Sequence, residues 1–171
     1  MLALFGVLFF EVLVGLLLAI IIAIGLVIWR LSNERGCLLG RTPDGRFKDI
    51  SLNPEAREVD GVKIVRLNAG LFYANAPVIK TRLLGLIREE PRPLMLIVDM
   101  EVQTHGLDIS SARALEKAIM EAEERGVEVV FVDVHTLMMR DLEKQGLVER
   151  IGKDHFKDTI EEALLGVEKG A

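Results

Sequence analysis

The chain has 171 residues, half of them hydrophobic and 27% charged, with a formal net charge of −5, five prolines and one cysteine. This composition excludes disorder, a collagen-like chain and a disulfide scaffold. The mildly acidic balance, without a basic stripe, also excludes a nucleic-acid partner, whose phosphates demand a concentrated positive face.

Residues 1–29 hold 25 hydrophobic residues, broken only by Gly6, Glu11, Gly15 and Gly25. Between Glu11 and Arg30 run 18 uncharged residues, which as a helix cover roughly 27 Å, the thickness of a hydrocarbon core. One transmembrane helix is therefore predicted over 1–30, so a polytopic fold is excluded. A signal peptide is the competing reading, opposed by the lack of a basic region ahead and of a small-x-small cleavage site behind. Arg30, Arg35, Arg41, Arg46 and Lys48 follow the apolar stretch and no Lys or Arg precedes it. The positive-inside rule then places residues 31–171 in the cytoplasm, facing away from an inner or plasma membrane, where an unpaired Cys37 also fits. Gly15, Ala19 and Ala23 recur every fourth residue, a small-residue stripe suited to close approach by another membrane helix. Glu11 calls for water or a protein partner; the alternative is a plain single-pass anchor whose small residues are incidental and whose Glu11 lies at the interface.

Residues 31–60 carry Gly36, Gly40, Pro43, Gly45 and Pro54 without a sustained period and read as a linker. A domain is predicted over 61–168. Val62, Ile64 and Leu67, with Lys63 and Arg66 between them, predict a strand continuing past Asn68-Ala69-Gly70 into Leu71-Phe72-Tyr73, three residues expected in the core. Pro77 opens a helix whose apolar face is Ile79, Leu83, Leu86 and Ile87. Leu94–Val98 and Val127–Val134 are unbroken apolar runs of strand length. The helix between them, from about Ser110 to Arg125, buries Leu115, Ala118, Ile119 and Ala122 and stops at Gly126. Strand, helix, strand with fully apolar strands predicts a parallel pair joined by a right-handed crossover. A short helix follows over 137–145. A last one, with Ile160, Ala163, Leu164 and Val167 inward, is expected behind a capping box of Asp158 and Glu161. The fold class is thus α/β: one N-terminal membrane helix, then a mixed, largely parallel sheet flanked by helices.

Particular stretches carry a family resemblance: Gly40-Arg41-Thr42-Pro43 with Phe47-Lys48-Asp49, Asn53-Pro54-Glu55-Ala56, and above all Leu71-Phe72-Tyr73-Ala74-Asn75-Ala76. Downstream come Val98-Asp99, Leu107-Asp108-Ile109-Ser110-Ser111-Ala112, Glu124-Arg125-Gly126-Val127 and Ile151-Gly152-Lys153-Asp154-His155. In this order they resemble the end of SulP-type sulfate permeases, where a last transmembrane helix precedes a cytoplasmic STAS domain. The resemblance implies the regulatory and assembly portion of a secondary anion transporter, usually dimeric, with membrane lipid, helices of a SulP-like membrane domain and a regulatory protein at the STAS surface as partners. It implies no cofactor. It also leaves the anion site elsewhere, since the half-helices that hold anions in that family have no counterpart here, so the chain is expected to be a carboxy-terminal piece or a shortened product, not transport-competent by itself.

Ser110 is a candidate phosphorylation site. In STAS proteins that antagonise anti-sigma factors a serine in an Asp-x-Ser-Gly turn is phosphorylated, and Asp108-Ile109-Ser110 matches all but the glycine, replaced by Ser111. A helix N-terminus favours phosphate, nearby Asp108 opposes it, and either Asp108 or Ser110 equally suits a helix cap. This leaves the alternative of a free-standing, membrane-tethered phosphorylation switch. Asp99, His105, Asp108, Asp133 and His135 fall beyond the carboxyl ends of the parallel strands, where such sheets bind ligands. Carboxylates with a histidine suit a divalent cation or a phospho-acceptor pocket, but the spacing matches no metal motif and acidic residues also simply cap such ends. Gly146–Lys153 has five residues between its glycines where a Walker A loop has four, and Asp154 where Ser or Thr belongs. No zinc or serine-hydrolase motif occurs and no enzyme is expected. Cys37 lies close enough to the helix for palmitoylation, or is an ordinary juxtamembrane cysteine.

Overall fold

The structure, a computed structural model, describes residues 2–33, 35–104 and 106–168, without the side chains of 2–7, 9–11 and 167–168. It divides into two compact units, Met1–Asn33 and Glu34–Ala171. The first is a single helix α1, Leu2–Ser32. Its apolar span Val12–Ser32 is long enough to cross a membrane, and none of its most apolar stretch is buried in protein.

The second unit carries, in chain order, β1 (Cys37–Arg41), β2 (Phe47–Asp49), β3 (Val62–Arg66), α2 (Ala76–Ile87), β4 (Met95–Asp99), α3 (Ile109–Arg125), β5 (Glu128–Val132), α4 (Thr136–Lys144), α5 (Leu147–Ile151), β6 (Phe156–Lys157) and α6 (Ile160–Glu168). The six strands lie in the order β2-β1-β3-β4-β5-β6. Strands β3 to β6 run parallel, whereas β1 and β2 form an antiparallel edge.

Both faces of the sheet are covered, which is why β4 and β5 read as continuous apolar runs. Leu96 and Val98 point into one core with α2, α3, α4 and α5, while Met95 and Ile97 point into a second with Ile160, Ala163 and Leu164 of α6. The predicted inward faces of α2 and α3 are buried. Gly126 ends α3 in the left-handed conformation, φ 66°, which its missing Cβ permits.

Three local expectations are corrected. The stretch 31–60, expected as a linker, supplies β1 and β2; strands of five and three residues with a glycine inside are too short to show a period. That glycine is required, because a Cβ on Gly40 would stand 2.7 Å from the Arg57 carbonyl oxygen. Strand β3 does not continue into Leu71–Tyr73. The chain instead turns there, tied by fully buried Gln103, whose side chain accepts from the Leu71 N–H at 2.6 Å and donates to the Ala69 carbonyl at 2.7 Å. Leu71 is buried as expected, but Tyr73 is 71% exposed, since a turn points successive side chains outward rather than into a sheet core. Finally, α6 is capped one residue later than predicted. Thr159 Oγ1 accepts from the Glu162 N–H at 3.2 Å, and the Glu162 carboxylate accepts from the Asp158 N–H at 3.1 Å.

Candidate functional site

The carboxyl ends of β3, β4 and β5 gather ionisable groups. Arg66 and Asp99 are register partners at the ends of β3 and β4. Arg66 Nε donates to Asp99 Oδ2 at 2.7 Å, and the Glu101 N–H donates to Asp99 Oδ1 at 3.0 Å. A second guanidinium nitrogen of Arg66 lies 3.1 Å from a Glu101 carboxylate oxygen. Asp99 is 0% exposed, so this pairing takes the place of water.

The expected acidic pocket is therefore divided. Asp99 is committed to Arg66, while Asp133 and His135 line a cleft of about 310 Å³ with Glu101, Met139, Phe156 and Lys157. His135 Nε2 is 2.9 Å from the Glu101 carbonyl oxygen, which orients the ring. His105 lies outside the described residues. Among the described residues no three His, Cys, Asp or Glu side chains are grouped to hold a metal ion. Sequence reasoning missed Arg66, Glu101 and Lys157. Arg66 looked like the solvated face of a strand, and the two-residue β6 that places Lys157 is below any pattern's reach.

Asp133 follows β5 directly and has φ 54°, the left-handed region where Asp and Asn are the tolerated non-glycine residues. Burial, then the Asp99 and Glu101 carboxylates, push its carboxyl above the usual range. A carboxyl raised by folding favours the folded state while protonated, and that contribution disappears as pH rises through its folded value. At neutral pH the charge thus opposes folding. Asp133→Asn keeps the backbone preference and removes the charge, so thermal melts should show a higher Tm at pH 7 and no gain well below the ordinary carboxylate range. A lower Tm at pH 7 would mean that the Asp133 charge is held by a partner.

The second region surrounds the start of α3. Asp108 adopts the extended conformation of an N-cap, and its carboxylate accepts from the Ser111 N–H at 2.9 Å and from the Ser111 hydroxyl at 3.1 Å. Asp108 and buried Ser111 thus form the cap. Ser110 is outside it, exposed, on a cleft of about 440 Å³ that also takes in Tyr73, Lys80, Arg113, Glu116 and Lys117. Arg113 and Lys117 stand three and seven residues past Ser110, one helix face, a signal the sequence contained. Lys80 comes from α2. The loop presenting Tyr73 is fixed by fully buried Asn75, whose side chain donates to the Gly70 carbonyl and accepts from the Phe72 N–H, both at 2.9 Å.

The other candidates stand apart. Gly15, Ala19 and Ala23 are exposed along α1, and a Cβ on Gly15 would meet nothing within 4 Å. The side chain of Glu11 lies outside the described residues. Cys37 is half-buried with its thiol 3.3 Å from Asn68 Oδ1; burial and the Asp49 carboxylate push the thiol up, which reduces the fraction present as reactive thiolate. Residues 147–151 form α5, a helix where a phosphate loop would have to be.

These features define a small α/β domain with a mixed sheet, carried behind one apolar helix. The family pattern described as STAS domain matches residues 53–163. The chain belongs to the STAS domain family. It is 28% identical, over 95% of its length, to high affinity sulfate transporter 2 of Stylosanthes hamata, yet spans only 26% of that protein. The murine solute carrier 26 family member A9 anion transporter shares its fold over 91% of this chain and 25% of that one, with TM-score 0.79 and 23% identity. An anti-sigma factor antagonist from Mycobacterium paratuberculosis matches 66% of this chain and 90% of its own, with TM-score 0.52 and 19% identity.

Proposed function

We propose that this chain is the carboxy-terminal regulatory and assembly portion of a SulP-like anion transporter, a last membrane helix followed by a cytoplasmic, non-enzymatic STAS domain over 61–168 with β1 and β2 completing its sheet. The observation that carries this reading is that similarity to a sulfate transporter extends through the apolar helix as well as the domain, covering 95% of the chain. The exposed side chains of α1 support it, because such a helix needs lipid and other helices around it. The five basic residues between Arg30 and Lys48 support a cytoplasmic domain.

In this reading the small-residue face of α1 packs against transporter helices. Ala19→Leu should lower crosslinking to the membrane domain in native membranes several-fold, with Ala19→Gly retaining it. Full association of Ala19→Leu would count against the reading. The same blot, probed at the carboxy-terminal tail, should show a species far above 19.0 kDa; a band at that mass would indicate a separate tethered module.

A second reading, a phosphorylation switch at Ser110, is favoured by one specific observation. Lys80, Arg113 and Lys117 share the cleft with Ser110 and would offset the repulsion between phosphate and Asp108. Phosphopeptide mapping from cells under a regulatory stimulus tests it. Modification at Ser110, lost in Ser110→Ala, supports the switch, and its persistent absence removes it.

A further inference from the structure

The cleft at the start of α3 lies between two helices, with Lys80 reaching it from α2 and Arg113 and Lys117 from one face of α3. Among the described residues, no carboxylate stands within ion-pair distance of any of the three cations. The cleft's own carboxylate, Glu116, meets Arg150 Nη1 at 3.2 Å, so it does not answer them. The chain as a whole carries −5, and this cleft therefore inverts the sign of the molecule it sits on.

The rim of the cleft carries a rigid, exposed aromatic. Two buried amides hold the loop that leads into α2: Gln103 bonds the Leu71 N–H and the Ala69 carbonyl, and Asn75 bonds the Phe72 N–H and the Gly70 carbonyl. Burying two amides costs free energy that their hydrogen bonds offset only when the geometry is kept. That geometry leaves Tyr73 on the cleft with 71% of its surface in water, its ring met edge-on by Phe72 at 5.7 Å between centroids and 88° between planes. A fixed tyrosine beside uncommitted cations has the composition of an interface hot spot, and its rigidity lowers the ordering cost of binding.

We propose that the cleft between α2 and α3 docks an acidic segment of a partner protein, its carboxylates meeting Lys80, Arg113 and Lys117 and an apolar side chain resting on Tyr73. Charge complementarity selects this occupant, since an acidic chain is steered to the one cationic cleft and repelled by its surroundings. A nucleic acid is a poorer fit, because three cations on a net-negative molecule do not neutralise a phosphate backbone. The inference concerns the domain alone and holds whatever α1 packs against.

The test replaces Tyr73 with the photo-reactive p-benzoylphenylalanine in the full chain, expressed in its native host, and identifies the crosslinked peptide by mass spectrometry. Every variant also carries Ser110→Ala, so the outcome is independent of phosphorylation there. A protein crosslinked through a segment rich in Asp and Glu is expected. Arg113→Glu and Lys117→Glu, added singly, should each lower that yield by about tenfold. Lys153→Glu, an equal charge reversal at an exposed residue outside the cleft, should leave it intact. Arg113 and Lys117 are both exposed, and Arg113→Gln, which removes the charge without reversing it, should still lower the yield about threefold if a reversal disturbs the helix. Crosslinks to lipid, to nucleic acid or to a neutral or basic segment overturn the proposal. So do the absence of any crosslink, equal yields in the parent and the cleft variants, and an equal loss in Lys153→Glu.

Discussion

Asp99→Ala should destabilise the domain by about 3 kcal/mol, a fall in Tm of about 10 °C for a domain of this size. The carboxylate is completely buried and accepts from both Arg66 Nε and the Glu101 N–H. Removing it leaves a partly buried guanidinium with only Glu101 and an unsatisfied N–H at the end of the sheet. The surviving Glu101 contact keeps the loss at the low end of what breaking a buried ion pair costs. Asp99→Asn retains an acceptor for the Glu101 N–H but no charge, so it should lose roughly half as much. Thermal melts of both variants, followed by far-ultraviolet circular dichroism, decide the matter. Unchanged melts would show that Arg66 finds an equal partner elsewhere. The Asp99→Asn loss matters as much as the Asp99→Ala loss, because Asn matches the size of Asp and a merely steric role would leave Asp99→Asn close to the wild type.

Phe131→Ala is expected to be at least as damaging, about 3 to 5 kcal/mol. Phe131 is 1% exposed in the central parallel sheet. Its ring stacks on Phe156, with centroids 5.5 Å apart and planes at 17°. Phe156 lines the cleft that holds Asp133 and His135, so the substitution removes support from one wall of that cleft as well as opening a cavity. Phe131→Leu keeps most of the volume and should lose less than about 1.5 kcal/mol. Urea titrations of the pair test this. A small loss for Phe131→Ala would mean that β6 and α5 collapse into the space, visible as a disturbed environment for Phe156.

Much of this molecule is written in local pattern. The apolar stretch, the faces of α2 and α3, the two continuous β-branched runs and the stop at Gly126 each depend on a period or a single residue with one physical meaning. Features that depend on partners distant in the chain were not legible. The β1 and β2 edge becomes intelligible only when Leu39 is seen opposite Ile64, and the turn at 69–71 only when Gln103 is seen reaching across 32 residues to Leu71. The displaced cap of α6 is a different case. Asp158 and Thr159 are both competent caps, and backbone direction, which sequence does not show, selected Thr159.

The candidate site divides in the same way. Its residue types at the strand ends follow from the sequence, since Asp99 and Asp133 close apolar runs that must end in polar groups. Their different fates come from the fold. Parallel register puts Arg66 beside Asp99 and commits that carboxylate to an ion pair, while Asp133, one strand over, has burial and the Asp99, Glu101 and Glu161 charges acting against it, which Arg66 offsets only in part. Sequence by itself determined the class: an apolar helix of membrane length and an α/β domain with a parallel core, because hydrophobic period and chain length are local quantities. Tertiary structure alone decided which charges are spent on one another and which face open clefts, as with Ser110 and Lys80 on one cleft, because electrostatic pairing depends on distance in space and local pattern carries no record of it.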